Sequence, residues 1–262
     1  MPSWSEPNAG SDLANVKSKA TKVDGGWILD GQKTWTTRGS FCTHLFGLFR
    51  SDGGQNRHKG LTYLLVPLDT PGISVRGFNR LDGDEGFAEV FFDSAFLPDE
   101  LAYGSPVLGE VNAGWMVAMS STTSERGLTL RSPGRFISTA DNLLELWRNN
   151  DGAVRSPHLA PRLADAWMKA EAYRLQTLQT ASASIDGVQP GAETSLVKLW
   201  WSELDIELHE LALDVLGPEA EIDHAWSRGW QFSLSGPIYA GTNEIQRNIA
   251  AERLLGLPRS GS

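Results

Sequence analysis

The hydrophobic periodicity of this sequence changes near residue 108, and this change constrains the fold more than any other feature. Before it, short runs of β-forming residues are separated by turn signals, among them the hairpin signal Asp30-Gly31 and the turn at Pro71-Gly72. After it, apolar residues recur every three or four positions, as in amphipathic helices. Strands followed by helices predict an α+β chain with domains at residues 1–107 and 108–262.

The first half is expected to form an antiparallel, barrel-like sheet, and the second an antiparallel four-helix bundle. The strand candidates are residues 17–23, 27–29, 33–37, 45–49, 61–66 and 86–92. Helices are predicted over about 114–147 as one long element, then 159–177, 197–215, 225–234 and 242–255. Polar loops are predicted at 151–156 and 186–191.

Composition narrows the class of protein. The 262 residues carry 23 basic and 32 acidic side chains, a net charge of -9, which argues against nucleic acid or an anionic membrane as a partner. No apolar run is long enough to span a bilayer. Cys42 is the only cysteine and no signal peptide is recognisable, so we expect a cytoplasmic protein. The five histidines lack metal-ligand spacing, and we predict no metal.

Four segments could carry chemistry, although each has an ordinary structural explanation by itself. Residues 5–13 could be a turn before a strand, and residues 30–37 a half-exposed strand with a core tryptophan. Residues 114–127 could be a solvated helix face, and residues 236–247 a loop with a capped helix. The common nucleotide-binding patterns G-x-G-x-x-G and G-x-x-x-x-G-K-[ST] are absent, as is the hydrolase elbow G-x-S-x-G.

The order of these segments is more specific than any one of them. The pattern S-E-P-x-A-G-S-D, then G-Q-K-x-W-x-T about twenty residues on, then Y-x-G-T-N-E-I-Q-R near the C-terminus resembles the acyl-CoA dehydrogenases. The resemblance covers the middle β domain and the C-terminal helical domain of that family. Its N-terminal helical domain, which forms one wall of the acyl pocket, is not represented. We therefore expect a fragment, a shortened gene product or half of a split enzyme.

The resemblance implies FAD as the cofactor. Trp35 would pack against the isoalloxazine ring, and Thr37 would bond near flavin N5. Thr242 and Glu244 would contact the FAD tail. The full set of cofactor-binding residues implied by the resemblance is Trp4, Ser5, Ser11, Trp35, Thr37, Thr242 and Glu244.

The catalytic base is where the sequence departs from most of the family. Many members carry a glutamate directly after the tyrosine of the last motif, but here that residue is Ala240, which cannot accept a proton. A minority carry the glutamate on the first helix of the C-terminal domain, and aligning on Gly114-Trp115 places it at Glu125. We therefore predict Glu125 as the base, because the reaction needs a carboxylate within reach of the α-carbon.

The implied reaction is α,β-desaturation of an acyl thioester. Glu125 would remove the pro-R α-proton while a β-hydride passes to flavin N5. A backbone N–H near Ala240 and a flavin ribityl hydroxyl would polarise the carbonyl. The substrate-binding residues implied by the resemblance are Ser11, Arg126, Ala240 and Gly241. A second departure affects the cofactor: residues 151–157 replace the Arg-x-x-Phe-Gly stretch that binds the neighbouring subunit's FAD in the family.

Three functions remain open on the sequence. The first is an FAD-dependent acyl-CoA dehydrogenase of fatty-acid or lipid metabolism. The second is a non-catalytic or half-site partner subunit of a hetero-oligomeric enzyme, which Ala240 and the unrepresented domain favour and Glu125 opposes. The third is a binding or assembly module without redox activity. The expected partners are acyl-CoA or an acyl-carrier-protein thioester, electron-transfer flavoprotein or a similar acceptor, and other subunits of a homo- or hetero-oligomer.

Overall fold

The computed structural model describes residues 1–54, 57–125, 132–154, 156–188 and 191–259; of residues 122–125, 153 and 154 it describes only the backbone. The chain divides into two compact units, residues 1–123 and residues 124–262. Strands make up most of the first unit and helices most of the second, so the predicted α+β class is confirmed.

The first unit contains one curled sheet of seven strands. They are β1 (Pro2–Ser3), β2 (Lys19–Val23), β3 (Gly26–Thr37), β4 (His44–Arg50), β5 (Leu61–Pro67), β6 (Ile73–Phe78) and β7 (Phe87–Pro98). The strand order is β1-β4-β2-β3-β7-β6, and β5 pairs with β4. Most pairs are antiparallel as predicted, but β1 and β2 both run parallel to β4, so the sheet is mixed. The strand β6 was not among the predicted elements.

The predicted hairpin at Asp30-Gly31 is wrong, because both residues lie inside the continuous strand β3. The ladder between β3 and β7 shifts its register there, with an extra residue on the β7 side near Ser94. Gly31 has a φ of 134°, and a Cβ at this position would lie 2.5 Å from Ser18 Oγ. The glycine therefore permits close approach of a neighbouring segment rather than a chain reversal.

The first unit also includes most of the helix α1 (Gly114–Glu125), which begins against β5. A Cβ on Gly114 would lie 2.5 Å from the backbone nitrogen of Tyr63, so only glycine lets the helix begin this close to the strand. Ala118 of α1 packs with Leu48, Leu61 and Tyr63 in a buried cluster.

The second unit contains six helices among its described residues. They are α2 (Pro133–Arg148), α3 (Asp151–Val154), α4 (Leu159–Ile185), α5 (Thr194–Leu216), α6 (Ala225–Ser233) and α7 (Asn243–Arg253). The single long helix predicted over 114–147 is wrong, because a new helix starts at Pro133 after Ser132, whose ψ of 129° is not helical. Proline has no N–H to continue a helix and disfavours helical geometry in the preceding residue.

Three long helices form the centre of the second unit. Trp167 of α4 donates to Asp141 of α2, while the rings of Tyr173 and Phe136 meet at 5.1 Å, so these helices are antiparallel. The helices α4 and α5 are antiparallel as well, since ion pairs join Arg162 to Asp214 and Lys169 to Glu207. Their core is the buried cluster Phe136, Ala140, Leu143, Leu159, Leu163, Ala166, Ala170, Tyr173, Trp201, Leu204, Leu208, Leu211, Ala212 and Val215.

The four-helix detail of the prediction is not confirmed, because the shorter helices α6 and α7 pack on α5 beside this three-helix centre. The first part of the predicted loop 151–156 forms the single helical turn α3. Over the described ranges, no helix combines the length and the hydrophobicity needed to cross a bilayer.

Candidate functional site

A bulge in β3 holds Trp35 on the surface of the sheet. Between Lys33 and Thr36, β3 has one residue more than the facing stretch of β7. Trp35 has a left-handed backbone there, with a φ of 58°, and 61% of its surface is exposed. Regular alternation would have turned this indole to the same side as the buried Lys33. The bulge instead turns the indole toward solvent, as bulges beside binding sites commonly do with a side chain.

Two phenylalanines fix the position of the exposed indole. Phe78 and Phe87 meet Trp35 edge to face, with ring centroids at 5.2 and 5.5 Å and interplanar angles of 80°. Thr37, two residues further along β3, is also exposed, whereas Thr36 is buried. The strand therefore presents an aromatic ring and a hydroxyl to solvent, which is the arrangement expected from the second motif.

The first motif is hydrogen-bonded to neighbouring strands. The backbone N–H of Thr34 donates to the carbonyl of Ser5 at 2.9 Å, and the indole N–H of Trp4 donates to the hydroxyl of Tyr63 at 2.7 Å. Trp4 and Ser5 are half-buried, and Ser11 is exposed. Hydrogen bonds thus tie Trp4 to β5 and Ser5 to β3.

A buried ion pair joins the first motif to the second. Lys33 Nζ donates to Glu6 Oε1 at 2.8 Å, and none of the lysine side chain is exposed. It also donates to the carbonyl oxygens of Leu48, at 2.6 Å, and Trp4, at 3.3 Å. All three ammonium protons therefore have acceptors, which is the condition for burying a lysine.

Glu6 is equally well paired. Its carboxylate accepts from the backbone N–H groups of Lys17, at 2.6 Å, and Ser18, at 2.9 Å. Burial by itself raises the pKa of Glu6, but the positive charge of Lys33 and these donors bring the pKa below its usual range. The carboxylate is therefore ionised at neutral pH, and the pair holds the first motif, β3 and β4 together.

No role was predicted for Glu6 or Lys33, although both lie in the sequence motifs. A signal was available in the alternation of β3. Lys33 falls on the same side as Trp27 and Leu29, which are both in the core. A lysine at an inward position of a strand predicts a buried counter-charge.

In the second unit, the predicted substrate residues form a strained turn before α7. Ala240 and Gly241 have φ values of 55° and 83°. The side-chain amide of Gln246 donates to the carbonyl of Ala240 at 3.2 Å and to that of Gly241 at 3.4 Å. In the described part of the chain, the backbone N–H groups of Ala240, Gly241 and Thr242 have no acceptor. The turn therefore offers three donors to a ligand.

The predicted FAD-tail residues cap α7. Thr242 Oγ1 accepts from the backbone N–H of Ile245 at 3.3 Å, so Thr242 is the N-cap, as predicted. Glu244 is exposed in the first helical turn, where its own backbone N–H and the Thr242 hydroxyl lower its pKa.

A buried polar cluster, also missed by the sequence analysis, lies under the start of α7. Lys198 of α5 donates to Asn243 Oδ1 at 2.7 Å, and the Ser202 hydroxyl donates to the same oxygen at 3.1 Å. Lys198 is 6% exposed and Asn243 3%. Burial lowers the pKa of Lys198 to about 8, against the opposing effect of the Glu244 and Glu203 carboxylates. The only sequence signal was a lysine one position from the apolar face of α5.

Two predicted residues lie at the edge of what the structure describes. Glu125 is the last residue of α1, and its side chain lies outside the described part. Arg126 lies wholly outside it. Among the described residues, no group of three or more His, Cys, Asp or Glu side chains could hold a metal ion.

A cavity of about 380 Å³ opens in the first unit beside the start of α1. Its lining residues are Asp52, His58, Lys59, Gly60, Asn112, Ala113, Trp115 and Met116. None of the predicted site residues lines this cavity. The His58 and Trp115 rings meet edge to face in its wall, with centroids 4.6 Å apart.

Comparison with known protein families assigns both units to one family. Residues 3–95 match the acyl-CoA dehydrogenase middle domain, and residues 112–255 match the acyl-CoA dehydrogenase C-terminal domain. The chain belongs to the acyl-CoA dehydrogenase family. The resemblance found in the motifs is thus confirmed, and it places the chain among flavoprotein oxidoreductases of fatty-acid and lipid metabolism.

Individual relatives support this assignment. Acyl-CoA dehydrogenase IpdE1 of Mycolicibacterium smegmatis is 42% identical over 273 residues, covering 98% of this chain and 67% of that protein. IpdE1 of Mycobacterium tuberculosis is 41% identical over 263 residues, covering 98% of this chain and 66% of that protein. This chain of the acyl-CoA dehydrogenase family therefore spans about two thirds of the length of these relatives.

Solved acyl-CoA dehydrogenase structures share the fold. The Tcur3481-Tcur3483 steroid ACAD matches with a TM-score of 0.89 at 25% identity, covering 99% of this chain and 68% of that one. The ChsE4-ChsE5 complex from Mycobacterium tuberculosis matches with a TM-score of 0.86 at 26% identity, covering 99% and 69%. The second of these structures is a complex of two components, ChsE4 and ChsE5, so hetero-oligomers occur among the structural relatives.

The residues present fit the flavin that the family uses. Trp35 offers an exposed aromatic surface fixed by two phenylalanine rings, and Thr37 offers a hydroxyl nearby on the same strand. Thr242 and Glu244 lie at the N-terminus of α7, and a helix N-terminus stabilises a negatively charged ligand. Planar ring and phosphate recognition thus both have suitable groups in the described chain.

Proposed function

We propose that this chain is the flavin- and acyl-binding part of an FAD-dependent acyl-CoA dehydrogenase that desaturates an acyl thioester between Cα and Cβ. The observation that carries the proposal is Trp35. A tryptophan that is 61% exposed in a left-handed conformation is costly unless a ligand uses it. Family membership identifies a flavin as the planar ligand that suits it.

The cofactor supplies one half of the chemistry: bound FAD accepts the hydride that leaves the β-carbon. The residues proposed to hold it are Trp4, Ser5, Ser11, Trp35, Thr37, Thr242 and Glu244. Trp35 would orient the ring system by stacking, and Thr37 would donate its hydroxyl proton to the ring edge. Ser5 is positioned for its role by the Thr34 hydrogen bond and by the Glu6–Lys33 ion pair.

The chain itself supplies the base and the carbonyl donors. We assign the base to Glu125, at the C-terminal end of α1, because the usual position after Tyr239 is occupied by the methyl group of Ala240. Ser11, Arg126, Ala240 and Gly241 are the proposed substrate contacts. The unpaired N–H groups of the Ala240–Gly241 turn would donate to the thioester oxygen and stabilise the negative charge that develops when the α-proton leaves.

The test is an absorption spectrum of the purified chain, followed by anaerobic addition of a saturated acyl-CoA. We expect a flavin spectrum that bleaches as the cofactor is reduced. Glu125→Gln should abolish bleaching while retaining the bound flavin, because only the proton acceptor is lost. Glu110→Gln, the same change at an exposed position shortly before α1, is the matched control and should bleach like the wild type. Bleaching retained in Glu125→Gln would refute the assignment of the base.

A second function is favoured by one observation, the alanine at position 240 in a fold whose solved relatives include two-component complexes. In that case the chain is a half-site subunit that binds flavin while a second chain completes the acyl site. Flavin would then be present but would bleach only after a partner subunit is added. A chain without any flavin would point to an assembly module. In each active form, electrons would pass on to electron-transfer flavoprotein or a similar acceptor.

A further inference from the structure

The turn before α7 contains a strained residue, Ala240, which the surrounding structure must hold in place. A non-glycine residue in the left-handed region costs of order 1 kcal/mol or more and persists only when the surroundings impose it. Ala240 has a φ of 55° in a segment without regular secondary structure. The restraints must therefore come from hydrogen bonds outside regular secondary structure.

Gln246 supplies the first restraint. Its amide donates to the carbonyls of Ala240 and Gly241, and its side chain is 1% exposed. Peptide bonds are planar and trans, so a fixed carbonyl also fixes the following N–H, which points the opposite way. Gln246 thereby sets the directions of the N–H groups of Gly241 and Thr242.

Asn243 supplies the second restraint. Its backbone N–H donates to the carbonyl of Pro237 at 2.8 Å, which closes the loop that contains the turn. Its side-chain Nδ2 donates to Glu203 Oε1 at 3.3 Å, and Oδ1 accepts from both Lys198 and Ser202. Because each polar atom of the Asn243 side chain has a partner, this residue has a single buried orientation.

Lys198 is the charged member of this arrangement. Its ammonium group makes the shortest of the three side-chain bonds to Asn243, and bonds from charged donors are about twice as strong as neutral ones. The charged groups that act on it are the carboxylates of Glu203 and Glu244, which favour its charge, and the guanidinium of Arg247, which opposes it. A buried ammonium is costly, so its presence here points to a task that a neutral donor performs less well.

We propose that Lys198 is a positioning residue: by holding Asn243, it fixes the Ala240–Gly241 turn and the N–H groups that donate to the acyl carbonyl. The part that concerns the carbonyl rests on the proposed function. The part that concerns the turn is a property of the chain by itself and can be measured without turnover.

The experiment compares Lys198→Met with Lys198→Arg, and uses Lys169→Met as the matched control. Methionine keeps the length of the side chain but removes its charge and its donors. Lys169 lies on α4 in the same unit, is half-exposed, and pairs with Asp165 and Glu207. Amide hydrogen exchange is measured in the full chain at the hydrogen-bonded amides within residues 238–246, which are Ile238, Tyr239, Asn243, Ile245 and Gln246. Infrared spectroscopy then records the carbonyl stretch of an acyl-CoA bound to the flavin-loaded protein.

In Lys198→Met, we expect exchange over 238–246 to accelerate by about tenfold or more, corresponding to the loss of roughly one strong hydrogen bond. The carbonyl stretch should shift back toward its value in water, and kcat should fall by a similar factor with little change in KM. Lys198→Arg should restore most of the protection, and Lys169→Met should resemble the wild type.

Unchanged exchange and an unchanged carbonyl stretch in Lys198→Met would overturn the proposal. If Lys198→Met does not fold, Lys198→Gln, which keeps a neutral donor, provides the same comparison with a smaller expected change. If the wild type binds neither flavin nor acyl-CoA, the proposed function fails, and the exchange measurement still decides whether Lys198 orders the turn.

Discussion

Trp35 and Ala240 lie in different units but share a left-handed backbone that non-glycine residues rarely adopt. Backbone pairing between β3 and β7 on both sides of the bulge holds Trp35. Close to it in sequence, Lys33 forms a buried ion pair with Glu6, and both residues also bond to backbone groups. Ala240 is held by one backbone hydrogen bond, from Asn243 to Pro237, and by a cluster of side chains, in which the charged member, Lys198, has a pKa of about 8. The comparison shows that strained site residues can be fixed by main-chain pairing or by a titratable side-chain cluster.

The largest effect is expected from breaking the ion pair of the first unit. Lys33→Met would leave the Glu6 carboxylate buried without a counter-charge, and we expect the free energy of unfolding to fall by about 3–5 kcal/mol. Urea denaturation measures this loss. Lys22→Met is the control, because Lys22 is about half exposed in its pair with Asp99 and should cost at most about 1 kcal/mol. Equal losses of unfolding free energy in the two variants would show that the Lys33–Glu6 ion pair does not stabilise the first unit.

The next effect concerns ligand binding rather than folding. Trp35→Ala should weaken FAD binding by about 10- to 100-fold, which is the range for losing one aromatic stacking partner, and should change stability much less. Fluorescence titration of the flavin gives the dissociation constant. Tyr103→Ala removes another exposed aromatic of the same unit and should leave FAD binding unchanged. Equal affinities for wild type and Trp35→Ala would remove the main support for the proposed function.

The titration of Lys198 should make the free energy of unfolding depend on pH. The pKa of Lys198 is about 8 in the folded chain and 10.5 ordinarily, so between these pH values the unfolded chain holds a proton that the folded chain has lost. Stability therefore rises with pH in this window. Relative to Lys198→Met, wild type should gain roughly 1–3 kcal/mol of unfolding free energy between about pH 8 and pH 10.5. A constant difference would mean an ordinary pKa for Lys198.

The smallest effect tests the strain itself. Ala240→Gly removes the Cβ that opposes the left-handed conformation, and the relief exceeds the added entropy of the unfolded chain by at most about 1 kcal/mol. The same change at Ala172, inside α4, should have the opposite sign and cost about 1 kcal/mol. Thermal unfolding of the two variants measures both. If glycine destabilises the chain by a similar amount at both positions, the backbone of Ala240 is not strained.

Much of the fold could be predicted from periodicity. The α+β class, most strands and the helices α4 to α7 follow from apolar spacing, because local sequence decides these elements. The hairpin at Asp30-Gly31 was wrong because Ser18, a residue from elsewhere in the chain, requires a glycine there. The helix over 114–147 was wrong because the signal at Pro133 was overlooked.

The candidate site was predictable in part. Trp35 and Thr242 were predicted as cofactor residues through family motifs; the structure shows that Trp35 is exposed and that Thr242 caps α7. Lys33 and Lys198 were missed as supporting residues because their partners are distant in sequence. Lys33 bonds to Leu48 and Lys198 to Asn243, contacts separated by 15 and 45 residues. Sequence patterns of neighbouring positions do not report such contacts.

The pairing of Lys33 with both Glu6 and the Leu48 carbonyl has a consequence for how the chain assembles. Glu6 precedes Lys33 by 27 residues, and Leu48 follows it by 15. During synthesis, the first motif, which contains Glu6, leaves the ribosome well before Lys33 and Leu48. It therefore has no stable docking surface until β4 has emerged. The segment proposed to contact flavin should thus become protected only after β4 has emerged, and cofactor capture should follow completion of β4 rather than precede it.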